Sequence, residues 1–314
     1  MPWSRRQLLA AAALSPLVPL LPGGAPGVLG AIEPFVHTGP PRLLLGLVAY
    51  SLRKFFLGDI QKRIAPMPTE HGIDMAGFID YCAEQGCAGA ELTGYFLPKD
   101  LTGDVLQRVR RHAFLRGVAV TGTSLGNNFL RLTKEERADE IRAVKSWIDH
   151  AAHLGAPHLR VFAGTAPTGM DEATARSLVI ESLVECAGYA GLNGVMLGLE
   201  NHGGPTSDPD SLLSIVRAVE SPWLGINLDS GNFHTADPYA DFARCAPYAV
   251  NVQVKAVIKR KGAAAVEASD YGRLATILRE AKYQGFVALE YEEDEDPWIA
   301  IPRELGKLKA AIAG

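Results

Sequence analysis

Four stretches in the second half of the chain place carboxylates, amides and cations at regular intervals among apolar residues. They are Leu199-Glu200-Asn201-His202, Leu228-Asp229-Ser230-Gly231-Asn232, Asn251-Val252-Gln253-Val254-Lys255 and Leu289-Glu290-Tyr291. Glu91, His158 and Arg160 stand in similar short runs upstream. The intervals matter because side chains alternate faces along a strand. If Gln253 points into a closed sheet, Asn251 and Lys255 point in with it, and Val252 and Val254 point outward. By the same rule Glu200 shares a face with Gly198 and His202, opposite Leu197 and Leu199. Charged groups are a costly filling for a packed core. At the ends of strands they form a ligand site.

Three carboxylates converging on one cavity, Glu200, Asp229 and Glu290, repel one another. Either their pKa values rise or a cation sits among them. An oxygen-rich set suits Mg2+ or Mn2+, to which Gln253 adds a neutral carbonyl oxygen. The other arrangement is an ion-pair network with Lys255 and Arg160 and no metal. Residue types leave both open. Glu91, His158 and His202 read either as substrate contacts or as hydrogen-bonded structural residues.

The elements that must position these groups alternate along the chain. Strands are expected at Leu43–Tyr50, Gly89–Leu92, Val118–Thr123, His158–Ala163, Met196–Glu200, Leu224–Asp229, Val250–Val254 and Phe286–Tyr291. Each is a short run of β-branched or bulky apolar residues bounded by Gly, Pro or polar residues. Between them lie helical patterns. Asp74–Gln85 carries Met75, Phe78, Ile79 and Cys82 at helical spacing, and Glu135–Leu154 carries Ile141, Val144, Ile148 and Ala151. Ser207-Asp208-Pro209 and Ser269-Asp270 have the chemistry of helix N-caps ahead of Asp210–Val219 and Tyr271–Lys282. Gly117, Gly155, Gly194 and Gly285 stand where left-handed C-caps are expected. Eight strand–helix units predict a (β/α)8 TIM barrel, whose active site lies at the C-terminal ends of its strands. An open doubly wound sheet would carry a glycine-rich turn after the first strand, and Ala49-Tyr50-Ser51-Leu52 is not one.

The 314 residues exceed the roughly 250 such a barrel needs, and 47% hydrophobic content supplies a large core. A net charge of −4 and a pI near 6.1 lack the basic footprint of a nucleic-acid binder. The acidic run Glu290–Asp296 reads mostly as a solvated loop. Cys82, Cys87, Cys186 and Cys245 form no CxxC pair, so free buried thiols are expected. The first residues, Met-Pro-Trp-Ser-Arg-Arg-Gln-Leu-Leu, lead into an apolar stretch broken by Pro16 and Pro19. This pattern predicts a twin-arginine export signal over residues 1–38, ahead of a single barrel domain at 39–314. The stretch is too short for stable membrane insertion, and a periplasmic or otherwise exported protein is expected.

Taken in order, Leu199-Glu200-Asn201-His202-Gly203-Gly204, Leu228-Asp229-Ser230-Gly231-Asn232-Phe233, Val252-Gln253-Val254-Lys255 and Gly285-Phe286-Val287-Ala288-Leu289-Glu290-Tyr291-Glu292 resemble the sugar phosphate isomerase/epimerase group of the xylose-isomerase-like TIM barrels. The resemblance implies one divalent metal, Mn2+ or Mg2+, held by Glu200, Asp229, Gln253 and Glu290. Gln253 departs from the pattern, because the family has His there, in His-Val-Lys-Asp. Gln can still ligate through its oxygen, more weakly; compensation by His202 or His234 is the less favoured alternative, since a nearby His more often contacts substrate or a backbone partner. The implied reaction is isomerisation or epimerisation of an unphosphorylated sugar or keto-sugar through an enediolate. Glu200 and Glu290 form its acid/base pair, Lys255 and Arg160 stabilise the oxyanion, and Glu91, His158 and His202 contact substrate. A lyase or hydratase acting on a keto-glycoside would use the same site. A non-catalytic sugar-binding barrel is the third reading, prompted by Gln253. The apurinic-endonuclease relatives of the fold fit less well. They hold three zinc ions with many histidines, whereas here Gln253 and Asn232 stand at two of those places.

Overall fold

A computed structural model describes residues 34–35, 37–57, 72–98 and 101–314. The expected export signal lies almost wholly outside the described residues. Eight parallel strands close into a barrel: β1 (Arg42–Val48), β2 (Gly89–Thr93), β3 (Ala119–Ser124), β4 (His158–Val161), β5 (Met196–Glu200), β6 (Leu224–Asp229), β7 (Ala249–Val254) and β8 (Gln284–Leu289). Each pairs with its sequence neighbour, and β1 closes the ring by pairing with β8 from Arg42–Gln284 to Leu47–Leu289. The pairing slips by one residue between Ala90 and Glu91 and again between Ile226 and Asn227. Such bulges re-aim side chains near the rims of barrels, and Glu91 and Asn227 both belong to the polar interior described below.

Among the described residues eight helices surround the barrel: α1 (Met75–Glu84), α2 (Gly103–Leu115), α3 (Lys134–Leu154), α4 (Glu172–Asn193), α5 (Pro209–Val219), α6 (Pro238–Cys245), α7 (Tyr271–Glu280) and α8 (Pro297–Ala313). All eight begin with a side-chain N-cap: Asp74, Thr102, Thr133, Asp171, Asp208, Asp237, Asp270 and Asp296. Thr133 and Glu136 complete a reciprocal capping box. A cap contributes about 1 kcal/mol. Because each helix starts where a strand–helix loop ends, the caps also fix the loops on the face that carries the site. No described helix is long and apolar enough to cross a membrane.

Strand alternation sorts the core as the sequence predicts. Leu197, Leu199, Leu228, Val252 and Val254 are fully buried in the apolar layer outside the barrel. The four cysteines are buried and free. Three expectations shift. β1 stops at Val48, because Ala49–Leu52 forms a 3-10 turn. β8 stops at Leu289, which puts Glu290 in the following loop. Gly155 and Gly194 are left-handed C-caps and Gly117 has φ +69°, but Gly285 lies inside β8, and Lys282 takes the left-handed position at φ 55°. Gly285 is needed for space: a Cβ there would lie 2.5 Å from the Tyr283 hydroxyl, which donates to the Phe286 carbonyl.

Two glycines make a slot inside the barrel. A Cβ on Gly122 would lie 2.5 Å from Nδ1 of His158, and one on Gly198 would lie 2.4 Å from Nε2. The imidazole therefore spans the interior from β3 to β5. Gly198→Ala should destabilise the protein by about 1–3 kcal/mol in urea unfolding, the usual cost of overpacking. Adding His158→Ala should return part of that loss in a double-mutant cycle. Equal stability of Gly198→Ala and the parent would show that the slot is slack.

Candidate active site

The polar interior is built in two layers. The lower layer is a chain of amides. The Asn251 amide donates to Glu91 (2.7 Å) and to the Asn227 carbonyl oxygen (2.8 Å). Asn227 donates to Oε1 of Gln253 (2.8 Å), and Gln253 donates through Nε2 to Glu91 (2.7 Å). Alternation brings Asn251 and Gln253 inward together on β7 and Asn227 inward with Asp229 on β6. Burial, with the Glu290 charge added, pushes the Glu91 carboxyl up to about 8, against the pull of the Asn251 amide. His158 lies in the same interior. Among the described residues neither of its ring nitrogens has a hydrogen-bond partner. Burial, then the Arg160 charge, hold its pKa down to about 3.

The upper layer carries the charges. Arg160 reaches from β4 with Nε 3.0 Å from Oε2 of Glu200. That contact is an ion pair without hydrogen-bond alignment; the two terminal nitrogens donate to the Leu125 carbonyl (3.0 Å) and the Tyr95 hydroxyl (3.2 Å), and the guanidinium lies 3.8 Å from the Phe162 ring centre. Glu200 accepts from Asn232 at its other oxygen (3.0 Å). Asn201 and Asp229 exchange two hydrogen bonds that lock the tops of β5 and β6: Asp229 N–H donates to the Asn201 side chain (2.8 Å), whose amide donates back to the Asp229 carbonyl (2.9 Å). The Asp229 carboxylate accepts from Gly231 N–H at 2.7 Å. Its second oxygen makes no hydrogen bond among the described residues, and the Lys255 ammonium lies 3.3 Å from it without hydrogen-bond alignment. The same ammonium contacts Glu290 and Glu292.

Electrostatics follow from this crowding. Burial pushes Glu200 up to about 7, and the Arg160 charge offsets part of that rise. Burial pushes Asp229 up to about 8, with Lys255 opposing and Glu290 adding. Burial works against the Lys255 charge, but Asp229, Glu290 and Glu292 outweigh it and hold the side chain as an ammonium. A lysine so held has no free amine for Schiff-base chemistry.

The residues read from the sequence thus divide by height. Glu200, Asp229, Lys255, Glu290 and Arg160 meet at the mouth. Glu91, Gln253 and His158 lie beneath them and are buried. His202 leaves the strand pattern, because β5 ends at Glu200. It turns to the rim against Phe162, with ring centres 4.4 Å apart, and lines a cavity of about 720 Å³ with Asn232, His234, Asp208 and Lys261. Glu292, Asn227 and Asn201 complete the network and were not singled out from the sequence. Alternation back from Asp229 predicts Asn227, whereas Glu292 lies past the end of β8, where alternation gives no guide. The acidic run is therefore not one solvated loop: Glu292 binds Lys255, Glu295 pairs with Arg303 and Asp296 caps α8.

The set implied for a divalent metal does not fit as placed. Gln253 spends its amide oxygen on Asn227, one layer below the mouth. Glu200 has a partner at each oxygen, and the space among Asp229, Glu290 and Glu292 holds the Lys255 ammonium. Neither His202 nor His234 turns inward to complete the set. Among the described residues no group of three His, Cys, Asp or Glu is arranged to hold a metal ion.

The His158 environment yields a direct test. Its imidazole should remain neutral from about pH 8 to about pH 5 in nitrogen-edited NMR spectra. A titration midpoint near the ordinary value of about 6.5 would show that the slot admits water. The depressed pKa also sets a sign for stability. Below about pH 6.5 the unfolded chain binds a proton that the folded chain refuses, so stability is lost as the pH falls. The His158 contribution to that loss is about 2 kcal/mol between about pH 7 and pH 5, measured against a His158→Leu variant.

The xylose isomerase-like TIM barrel family matches residues 79–311. Among solved structures, the chain is similar to a xylose isomerase domain protein from Planctomyces limnophilus, with 17% identity, TM-score 0.63, and coverage of 88% of this chain and 99% of that one. It is similar to the 3-keto-D-glucoside 4-epimerase from E. coli, with 17% identity, TM-score 0.66 and coverage of 86% and 99%. A probable 3-DHS dehydratase from Bacillus anthracis has 16% identity, TM-score 0.63 and coverage of 85% and 98%. No curated protein sequence matches the chain. At these identities the structures speak for the fold alone. The match across 79–311, on a closed eight-stranded barrel with its polar site at the strand ends, places the chain in the xylose isomerase-like TIM barrel family.

Proposed function

We propose that this protein moves a proton on the carbon beside the carbonyl of a sugar or keto-sugar, and so isomerises or epimerises it. The observation that carries this reading is Glu200. It is a buried carboxyl pushed up to about 7, flanked by the fixed charge of Arg160 and close to the Glu290–Lys255 pair. A carboxyl with a pKa near neutrality can take and return a proton at working pH. Glu200 removes the proton, and the electron pair moves onto the carbonyl oxygen. The resulting enediolate is stabilised by the Lys255 ammonium; in an isomerisation Glu200 gives the proton it took to the neighbouring carbon, and in an epimerisation a solvent-derived proton carried by Glu290 is delivered to the opposite face while Glu200 releases its own to solvent. The metal that the family resemblance implies has no fitting donor set here, so no step is assigned to it.

An unphosphorylated substrate is favoured by the charge pairing. The buried cations at the mouth, Arg160 and Lys255, both face carboxylates, which leaves neither free for a phosphate. Two relatives of similar fold are a 3-keto-D-glucoside 4-epimerase and a D-psicose 3-epimerase, which is the substrate class expected here. Export is proposed on the Ser4-Arg5-Arg6-Gln7-Leu8-Leu9 core alone. Replacing Arg5 and Arg6 by Lys should keep the protein in the cytoplasmic fraction, and unchanged secretion would remove that part of the proposal.

Incubation with keto-sugars in deuterated water should place deuterium beside the carbonyl. Glu200→Gln should slow this exchange by about 10²–10⁴-fold. Because the base must be ionised, the rate should rise with pH and level off above the Glu200 pKa of about 7. An unsaturated product would redirect the reading to a lyase, in which the same enolate expels a leaving group. Sugar binding without exchange, and with affinity unchanged in Glu290→Gln, would leave a binding barrel.

A further inference from the structure

We propose that the ammonium of Lys255 occupies the position of the divalent ion implied by the family resemblance, so that this chain carries its site cation covalently. Three observations converge on it. The ammonium has three protons, and three carboxylates surround it: Asp229 at 3.3 Å, with Glu290 and Glu292 in contact. The path of the lysine stem is built for it. A Cβ on Gly231 would lie 2.4 Å from Cγ of Lys255 and 2.9 Å from its Cβ, so the absence of a side chain at 231 is what admits the stem. The Lys255 backbone N–H donates to Ser230 Oγ at 3.0 Å, and Ser230 N–H donates to the Gln253 carbonyl at 3.0 Å. The turn that follows Asp229 thus both holds and aims the lysine.

The other members of the implied ligand set are turned away from a shared ion. Glu200 faces Arg160 and Asn232, and the Gln253 amide binds Asn227 and Glu91. A divalent ion entering this cluster would have to expel a like-charged ammonium from its three partners. The exchange of ion for ammonium has a chemical consequence. An ammonium stabilises one developing oxyanion by charge and hydrogen bonding but does not chelate two oxygens at once. A substrate oxygen would enter by displacing Glu292, whose side chain is 36% exposed, against 10% for Glu290 and 0% for Asp229.

The test reads metal binding and is independent of the reaction proposed above. Wild-type protein purified without chelators should contain far less than one divalent ion per chain by elemental analysis. Its melting temperature should be unchanged by EDTA or by millimolar Mn2+. Lys255→Ala should vacate the position, acquire Mn2+ visible by electron paramagnetic resonance, and gain several degrees of melting temperature when Mn2+ is added. Near-stoichiometric metal in the wild type, or an Mn2+-dependent rise in its melting temperature, would overturn the proposal. So would a folded Lys255→Ala that takes up no Mn2+. If that variant does not fold, Gly231→Ala, which pushes the lysine stem aside, is the second probe. It should gain Mn2+ affinity, and its failure to do so in the folded state counts equally against the proposal.

Discussion

The mouth of this barrel gathers buried negative charge, and the rest of the site is arranged around compensating it. Glu200, Asp229 and Glu290 are all buried, where an isolated carboxylate is strongly disfavoured. Two cations answer them. Arg160 is planar and fixed by the Leu125 carbonyl, Tyr95 and Phe162, and it lies in ion-pair contact with Glu200. Lys255 is a point charge and serves three carboxylates at once. That division suits the two side chains: a guanidinium works through directional donors, an ammonium through proximity. Two cations against this many acids leave part of the charge to be removed by protons, which is the sense of the raised pKa values at Glu91, Glu200 and Asp229.

The lower layer shows how polar groups inside a barrel can satisfy one another. Glu91, Asn227, Asn251 and Gln253 satisfy one another through four short hydrogen bonds. A fully connected network of this kind fixes every rotamer in it, because moving one amide leaves two buried groups unpaired. Gly122 and Gly198 are the counterpart of that rigidity. They give the His158 ring a slot that no other residue type would leave open. The floor beneath the site is therefore set in shape, while at the rim His202 is exposed and Glu292 is half-buried.

Periodicity and turn chemistry made the barrel legible in the sequence. The bounds of β5 and β6 match the apolar runs, and Asp74, Asp208 and Asp270 cap the helices that follow them. The failures have local physical causes. Gly285 resembles a C-cap in sequence, yet it is kept small by the Tyr283 ring. His202 keeps the parity of Glu200, but parity holds only while the strand lasts, and β5 ends two residues before it. The residues of the site were legible because the alternation that puts Asn251, Gln253 and Lys255 on one face is dictated by the backbone. Their partners were not, because which carboxylate a long side chain reaches depends on bends such as the Ser230–Gly231 turn. Glu292 looked like loop charge for that reason.

Gln253 and Lys255 belong to one argument. On a strand that presents a metal ligand, the residue at position 253 must lift a donor to the mouth. Here the amide turns down, holds Glu91 with its nitrogen and accepts from Asn227 with its oxygen, as no histidine ring can do for two neighbours while also facing upward. Two residues on, the same face of the chain delivers an ammonium into the space above. With the ammonium as the site's cation, a ligand at 253 has nothing to bind, and the better use of that side chain is to satisfy a buried carboxyl one layer below. Gln253 departs from the family's His-Val-Lys-Asp pattern while Lys255 keeps its lysine, so the change lies at 253: its amide serves the layer below, and the space above is left to the ammonium that follows β7.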